Sequence, residues 1–303
     1  MSEQMSSTVD TTSVPSDVRR VDPENPMVDV MGGSARWEKQ VLDHGFVALV
    51  DSMPRLVPEG QTADQAIVQA ARVSYGEGTK KLTEDRGLVR YLLRHRHTTP
   101  FEMVEFKFHV AMPIFVARQW IRHRTANVNE YSARYSIVPD KFYRPTLDNV
   151  RKQSTTNRQG GEETIEVETA ESFLELLEDS EKLYARYLEL TEQGVARELA
   201  RAALPVSVYT EWYWKCDLHN LLHFLSLRMD PHAQQEIRVY AEAMYELIKP
   251  ICPVACEAFE QYRMEGLHLT KLEIEAIQTG KPIATENKRE QKEWETKRAL
   301  LNL

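Results

Sequence analysis

Three arginines, one histidine, one carboxylate and one serine lie within thirteen residues of this chain, from Arg122 to Arg134. Arginine presents a planar fork of donors that binds phosphate or carboxylate through two parallel hydrogen bonds, and it stays charged at any working pH. His123 stands between Arg122 and Arg124, so the neighbouring positive charge favours its neutral form. The cluster suits a phosphate-rich ligand, although a solvated basic turn paired with acidic residues would contain the same residue types.

The second half of this cluster holds Glu130, Ser132 and Arg134 in a polar segment. If the segment is extended, Ser132 and Arg134 point to the same side and converge on one oxyanion. Ser132 is also a candidate nucleophile by residue type, but a hydroxyl needs a base beside it, and arginines do not act as bases. We therefore predict that Ser132 binds the ligand.

Several regular elements are predicted to position these residues. The apolar run Pro113–Trp120 indicates a helix that ends just before Arg122, with proline in its first turn. Alternation of apolar and polar residues predicts strands at Phe101–Val110 and Val206–Trp214. A helix is predicted to follow from Asp217 to Arg228.

The remaining periodicities predict a first strand at Phe46–Val50 and a set of further helices. These helices are predicted at Ala63–Val73, Glu84–Leu93, Ala170–Glu192, Val195–Leu204, Ala233–Ile248 and Pro253–Met264. The polar stretch Arg151–Glu168 is predicted to be a surface insertion. Because helices outnumber strands and the two are mixed along the chain, the fold class is predicted to be α+β.

Composition limits the kind of partner that the protein can have. The chain has 303 residues, 42% of them hydrophobic, and a formal net charge of -8. A phosphate-backbone footprint needs a large basic face, so no nucleic-acid partner is predicted. No segment approaches the roughly 20 unbroken apolar residues of a spanning helix, and the polar first thirty residues lack the apolar region of a signal peptide, so no membrane partner is predicted either.

The chain has three cysteines, Cys216, Cys252 and Cys256. An odd count without a disulfide framework fits a reducing compartment, so the cytoplasm is the predicted location. Cys252 and Cys256 have no second thiol pair and no close histidine, and we predict that they are buried as small hydrophobic residues. Cys216 ends an aromatic strand and is predicted to be structural rather than nucleophilic.

His219 and His223 are four residues apart in the predicted helix, so they share a face. A zinc hydrolase of the His-Glu-x-x-His type needs a carboxylate directly after the first histidine, but Asn220 stands there. A pair of histidines hydrogen-bonded inside a helical interface remains the alternative. We predict no metal site.

The pattern of Arg122-His123-Arg124, seven residues and then Ser132 resembles the signature of the flavin-dependent thymidylate synthases. The resemblance extends over roughly Val41–Arg263. Further matching segments, in the family's order and at similar spacings, are Ala71–Ser74, His97–Glu102, Phe115–Trp120, Ala200–Pro205, Phe224–Arg228 and His232–Gln234. Random convergence on all of these segments is implausible.

The resemblance implies a single α+β domain with a central antiparallel sheet and many helices. It places this domain at residues 36–266, between a disordered N-terminal extension (1–35) and a charged helical C-terminal extension (267–303). It further implies an enzyme that methylates dUMP to dTMP, with 5,10-methylenetetrahydrofolate as carbon donor and NADPH-reduced FAD as hydride source, and that releases tetrahydrofolate. Family members are homotetramers with active sites at subunit interfaces, and the same is expected here.

The resemblance also assigns roles to residues. Those implied as dUMP ligands are Gln119, Arg122, Glu130, Ser132, Arg134, Arg201 and Arg228. Those implied as FAD ligands are Ser74, Thr99, Arg122, His123, Arg124, Glu130, Asp217, His219 and His223. Arg228 is the catalytic candidate, because a cation at the uracil edge would stabilise negative charge as N3 ionises.

Asp217 and His219 depart from a common family version, which has Asn and Arg at these positions. Asp217 exchanges the donor and acceptor of an amide for acceptors only. Two other classes of protein remain open: a flavoprotein oxidoreductase without methyl transfer, and a nucleotide- or RNA-binding protein without catalysis.

Overall fold

The computed structural model describes residues 19–21, 36–55, 61–73, 85–154 and 161–303. An antiparallel sheet forms its centre, with the strand order β1-β2-β3-β4-β8-β5. These strands are β1 (Arg19–Val21), β2 (Arg36–Val41), β3 (Gly45–Met53), β4 (Glu105–Pro113), β5 (Asn127–Glu130) and β8 (Tyr209–Asp217). A separate hairpin pairs β6 (Arg151–Gln153) with β7 (Gly161–Thr164).

Helices surround this sheet. They are α1 (Asp64–Arg72), α2 (Asp85–Arg94), α3 (Ile114–Trp120), α4 (Val167–Glu192), α5 (Arg197–Ala200), α6 (Leu218–Arg228), α7 (Gln235–Ile248), α8 (Pro253–Phe259), α9 (Lys271–Thr279) and α10 (Lys288–Leu301). Short 3₁₀ helices lie at Thr99–Met103, Leu147–Asn149 and Arg201–Ala203, and a π-helical turn at Glu260–Met264 follows α8. The predicted α+β class with a central antiparallel sheet is confirmed.

The main core lies between the sheet and helices α6 and α7. Phe106, Phe108 and Val110 of β4 are fully buried, as their alternation predicts. β4 pairs along its whole length with β8, which places Phe108 opposite Trp214. α6 and α7 add leucine, isoleucine and aromatic side chains to the same cluster. Pairing with β4 fixes the position of β8. Because α6 follows β8 directly, this pairing also fixes where α6 begins.

A second, smaller core forms between α4 and the segment that follows β5. Tyr184 and Tyr187 of α4 pack with Val138 and Phe142, and Tyr184 Oη donates a hydrogen bond of 2.7 Å to the Val138 carbonyl. α5 and the 3₁₀ helix Arg201–Ala203 contact α4. This core holds the loop after β5 in place.

Several predicted boundaries were wrong. The strand predicted from Phe101 begins at Glu105, because Pro100 lacks a backbone donor and starts a 3₁₀ turn instead. The strand predicted from Val206 begins at Tyr209, and Val206 is 61% exposed. Strands β1, β2 and β5 were not predicted: β1 and β5 are the short edges of the sheet, and β2 carries only two large apolar residues, Trp37 and Val41.

The two predicted extensions differ in what the structure describes. Most of the N-terminal extension lies outside the described residues, but Arg19–Val21 pairs with β2. The C-terminal extension contains α9 and α10, and Lys297 Nζ of α10 lies 2.8 Å from Glu273 Oε1 of α9. The boundaries at residues 35 and 267 stay predictions. Of the helices in the described parts of the chain, none is long and apolar enough to cross a bilayer.

All three cysteines are buried and free, as predicted. Burial raises the pKa of the Cys216 thiol well above its ordinary value. Because the thiolate is the reactive form, a buried thiol of raised pKa is a poor nucleophile. Cys252 and Cys256 lie side by side, with their sulfur atoms 3.9 Å apart.

Candidate active site

Arg228 and His123 form the central contact of the candidate site. Arg228 is the last residue of α6, and its Nε donates a hydrogen bond of 3.0 Å to His123 Nε2. Burial, then the charge of Arg228 and then His223, lower the pKa of His123 to about 4. The lowered pKa agrees with the predicted neutral form of His123, but its main cause is burial, and the arginine that adds to it is Arg228 and not the neighbours in sequence.

An aromatic stack supports this contact from below. Trp120, at the end of α3, is fully buried and stacks on Phe224 of α6 with ring centroids 4.8 Å apart. The His123 ring meets Phe224 edge-on at 4.9 Å. Phe224 and Arg228 both lie on α6, and Phe224 also contacts the His123 ring. The aromatic contacts therefore hold His123 and Arg228 against the same part of the core.

Arg122 and Arg124 flank His123 and are exposed. Within the described parts of the chain, no carboxylate lies at ion-pair distance from either guanidinium, so the solvated basic turn paired with acidic residues is not observed there. Their donors are available to an anionic ligand. His123, turned inward between them, contributes no charge.

Glu130 ends the edge strand β5. It lies opposite Trp212 of β8, and its Oε1 accepts a hydrogen bond of 2.8 Å from Thr210 Oγ1. Thr210 is 7% exposed, so this contact ties an exposed carboxylate to the buried part of the sheet. Sequence reasoning missed Thr210, because no local signal marks a threonine whose partner lies 80 residues away.

Ser132 and Arg134 lie in a turn and not in the extended segment that we considered. The backbone amides of Tyr135 and Ser136 both donate to the Ser132 carbonyl, at 3.1 and 3.2 Å. The backbone amide of Arg134 donates to Ser132 Oγ at 3.4 Å, and the Arg134 guanidinium lies over the Tyr135 ring. The turn thus brings the hydroxyl and this arginine close by a different geometry.

Gln119 and Arg201 approach the site from two further elements. Gln119 Nε2 donates to Gln234 Oε1 at 3.4 Å, while its own Oε1 is buried without a hydrogen-bond partner in the structure. Arg201 starts the 3₁₀ helix after α5, is exposed, and donates only a long bond of 3.4 Å to the Glu198 carbonyl. Both side chains have polar groups left for a ligand.

Asp217 is the N-cap of α6. Its two oxygens accept hydrogen bonds from the Asn220 backbone amide (2.9 Å) and the Asn220 side chain (2.7 Å). His219 is half-buried and His223 is exposed, with the His223 ring 6.3 Å from that of His123. Asp217 therefore has a structural use that the sequence assignment as a cofactor ligand did not include.

Thr99 opens the 3₁₀ helix Thr99–Met103 and is exposed. This 3₁₀ helix contacts α6, so Thr99 belongs to the same part of the fold as Arg228. Ser74 lies outside the described residues. Among the described residues, no three His, Cys, Asp or Glu side chains are grouped so as to hold a metal ion.

The predicted residues fall into two groups in one chain. His123, Arg228 and the residues of α6 stand on the main core, whereas Ser132, Arg134 and Arg201 stand on the smaller core. Across the described residues, no hydrogen bond or ion pair joins the second group to His123 or Arg228. Glu130, at the end of the edge strand β5, lies between His123 of the first group and Ser132 of the second in sequence.

A cavity of about 720 Å³ lies beside this region. It opens between α4 and the segment Pro205–Ser207, which precedes β8, and its wall is mostly apolar, including Phe173, Leu176 and Val206. Gln234, the partner of Gln119, and Glu236 give it a polar corner. None of the residues predicted to bind ligands lines this cavity.

Comparisons with known proteins show the family of the chain. The family model described as thymidylate synthase complementing protein matches residues 55–254. A flavin-dependent thymidylate synthase from Dictyostelium discoideum is 67% identical over 284 residues, which cover 94% of each chain. One from Gluconobacter oxydans is 49% identical over 297 residues, covering 94% of this chain and 95% of the relative.

Among solved structures, a UMP/dUMP methylase, PolB from Streptomyces cacaoi, bound with 5-Br UMP, superposes with a TM-score of 0.63. It is 36% identical and covers 73% of this chain and 95% of its own. Residues 55–254, which the family model matches, include the Arg122–Arg134 cluster and Arg228. The chain belongs to the family of the flavin-dependent thymidylate synthases.

Proposed function

We propose that this protein converts dUMP to dTMP, with 5,10-methylenetetrahydrofolate as carbon donor and NADPH as the reductant of its FAD. FAD, when bound, supplies the hydride, so folate leaves as tetrahydrofolate. The observation that carries the proposal is the contact between Arg228 and the neutral His123 in a chain of this family. The protein's own task is to position dUMP and to set the charge around it.

The residues present fit a flavin dinucleotide. Arg122 and Arg124 present exposed donors next to each other, which suits a pyrophosphate. We assign them to FAD together with Ser74, Thr99, His123, Glu130, His219 and His223. Asp217 is assigned to FAD as well, because it caps α6, the helix that carries His219 and His223.

We assign dUMP to the second group and to the shared residues. Arg134 and Arg201 would bind its phosphate, and Ser132 would add a hydroxyl donor to the same anion. Gln119 has an unpartnered buried oxygen, and such an oxygen is stabilised by any ligand N–H that reaches it. Arg122 and Glu130 would contact both ligands.

Arg228 is positioned for electrostatic activation of the pyrimidine. Its Nε is used by His123, which fixes the plane of the guanidinium, and no hydrogen bond from its Nη atoms to the described residues is present. Two donors are then free to face the uracil edge, where they stabilise the negative charge that develops as N3 ionises. Burial lowers the pKa of Arg228, but an arginine stays charged in a protein.

We further propose a cytoplasmic homotetramer with active sites at subunit interfaces. Large apolar side chains on α4 and near it are exposed in the single chain, among them Val167 (62%), Leu176 (62%) and Leu199 (68%). An apolar surface of this kind marks a protein–protein contact. In a tetramer, the group on the smaller core of one subunit could complete the group on the main core of another.

One purification tests the function against both rivals. The proposal requires a yellow protein whose flavin absorption is bleached by NADPH and which forms dTMP from dUMP when methylenetetrahydrofolate is present. NADPH oxidation without dTMP would identify a flavoprotein oxidoreductase. A colourless protein that binds nucleotide without turnover would identify a binding protein. Light scattering on the same sample gives the number of subunits.

A further inference from the structure

Arg86, Arg90 and Arg94 follow one another at a spacing of four residues along α2, which packs against α8. Arg86 and Arg90 form ion pairs with Glu257 of α8. One turn further, the guanidinium groups of Arg90 and Arg94 lie over the Tyr262 ring, at 5.1 and 5.8 Å. Glu257 therefore neutralises the arginines in the first part of α2. Among the described residues, no carboxylate forms an ion pair with Arg94 in its last turn.

Three arginines, Arg94, Arg96 and Arg263, lie around the C-terminal end of α2, where Arg94 lies over the ring of Tyr262, the residue before Arg263, and the charge of Arg96 acts on Arg263. All three are exposed, and within the part of the chain that the structure describes none has a carboxylate at ion-pair distance. Burial and then the charge of Arg96 lower the pKa of Arg263. Like charges held close together raise the free energy of the cluster unless an anion joins them.

The backbone of the fold explains where two of these arginines lie, but not why both are arginine. Arg94 lies in the last turn of α2, where the helix dipole stabilises a cation. Arg96 follows as the C-terminal cap of α2: its φ is 60°, and the amides of Arg96 and His97 donate to the carbonyls of Leu93 and Leu92, a motif in which glycine is the usual residue. Arg263 lies in the π-helical turn Glu260–Met264, a rare form that occurs often at functional sites.

The cluster stands close to the candidate active site. Thr99 comes three residues after Arg96, so their Cα atoms are at most about 11 Å apart. The 3₁₀ helix that begins with Thr99 contacts α6, which carries Arg228. A molecule that reaches the reaction centre with one end could place an anionic end on these arginines.

We propose that Arg94, Arg96 and Arg263 bind the anionic end of a co-substrate, through clustered carboxylates or phosphates. This inference rests on the proposed function, in which two co-substrates carry such groups: the folate has a glutamate tail, and NADPH has phosphates. Arginine forks suit both groups. None of these three arginines is among the residues that we assign to dUMP.

The test uses Arg96→Gly and Arg263→Gln, singly and together, in the full-length protein. Glycine relieves the left-handed backbone, so a loss of binding in Arg96→Gly does not arise from a strained fold. Calorimetry measures the Kd of tetrahydrofolate with one and with five glutamates, of NADP⁺ and NAD⁺, and of dUMP. Steady-state assays give the matching KM and kcat. Arg86→Gln, on the same helix and paired with Glu257, is the matched control.

We expect the double variant to raise the Kd and KM of one co-substrate about tenfold or more, since charge-assisted contacts are lost. The values for dUMP, and all values for Arg86→Gln, should stay within twofold. Loss of the preference for five glutamates over one would identify the folate tail, and loss of the preference for NADP⁺ over NAD⁺ would identify the dinucleotide.

Unchanged Kd values for both co-substrates in the double variant would overturn the inference, and so would an equal weakening of dUMP binding, which would show a general distortion. The two levels of the proposal fail separately. A wild-type protein that makes no dTMP refutes the proposed function, whereas dTMP formation with unchanged co-substrate constants refutes only the role of these arginines.

Discussion

Arg228 Nε lies 3.0 Å from His123 Nε2, and it can only donate. His123 Nε2 must therefore accept, which places the ring proton on Nδ1 and keeps the imidazole neutral. The contact joins residues 105 positions apart and fixes the direction in which the Arg228 guanidinium points.

Replacing Arg228 with lysine should keep the charge and lose this direction. The ammonium has three donors in a tetrahedral arrangement and no planar fork, so it cannot bond His123 and also present two parallel donors to the uracil edge. We expect kcat for dTMP formation to fall about a hundredfold, the typical effect of losing one donor to developing charge. Arg86→Lys makes the same change at an exposed position of α2 and should retain the wild-type kcat. A wild-type kcat in Arg228→Lys would contradict the proposed activation.

Acid should destabilise the protein through His123. Its folded pKa of about 4 lies below the ordinary 6.5, so between these pH values the unfolded chain binds a proton that the folded chain does not. The contribution is fully present above pH 6.5 and is lost as the pH falls towards 4. For a half-buried ring, solvent screening reduces it to about 1–2 kcal/mol.

Urea unfolding of wild type and His123→Gln at pH 7.5 and pH 4.5 measures this effect. The free energy of unfolding should fall more steeply with acid in the wild type than in the variant. Parallel pH dependences in the two proteins would show that His123 is not held neutral by the fold.

Ser132→Ala should weaken dUMP binding while leaving measurable turnover. The hydroxyl accepts only a long bond from the Arg134 amide, so its removal costs the fold little. We expect the Kd of dUMP to rise about tenfold to a hundredfold, as for the loss of one hydrogen bond to a charged group. Calorimetric titration with dUMP and a dTMP assay separate the two effects. Complete loss of chemistry with intact binding would instead indicate a nucleophile.

Thr210→Val should loosen Glu130 without changing the shape of the buried side chain. The lost hydrogen bond of 2.8 Å is worth about 1 kcal/mol, so the Kd of dUMP or FAD should rise roughly fivefold. Thr210→Ser keeps the hydroxyl and is the matched control. If the valine and serine variants bind both ligands equally well, Glu130 does not need Thr210.

Much of the site could be predicted because its motifs are local. The Arg122–Arg134 cluster, the α6 segment and the alternation in β4 each lie within about a dozen residues, where spacing indicates a shared helix or strand face. The start of β4 was predicted wrongly, and the turn at Ser132 was not predicted. Proline at position 100 and hydrogen bonds to the Ser132 carbonyl override the local propensities there.

The sequence by itself determined the family, the α+β class and the residue types that can hold anions, because motif order and periodicity are written along the chain. Only the tertiary structure decided that Arg228 is the partner of His123, that Thr210 holds Glu130, and that the charge of Arg96 acts on Arg263. These pairs lie 80 to 167 positions apart in the sequence. They depend on how the sheet and helices pack, which no local pattern encodes.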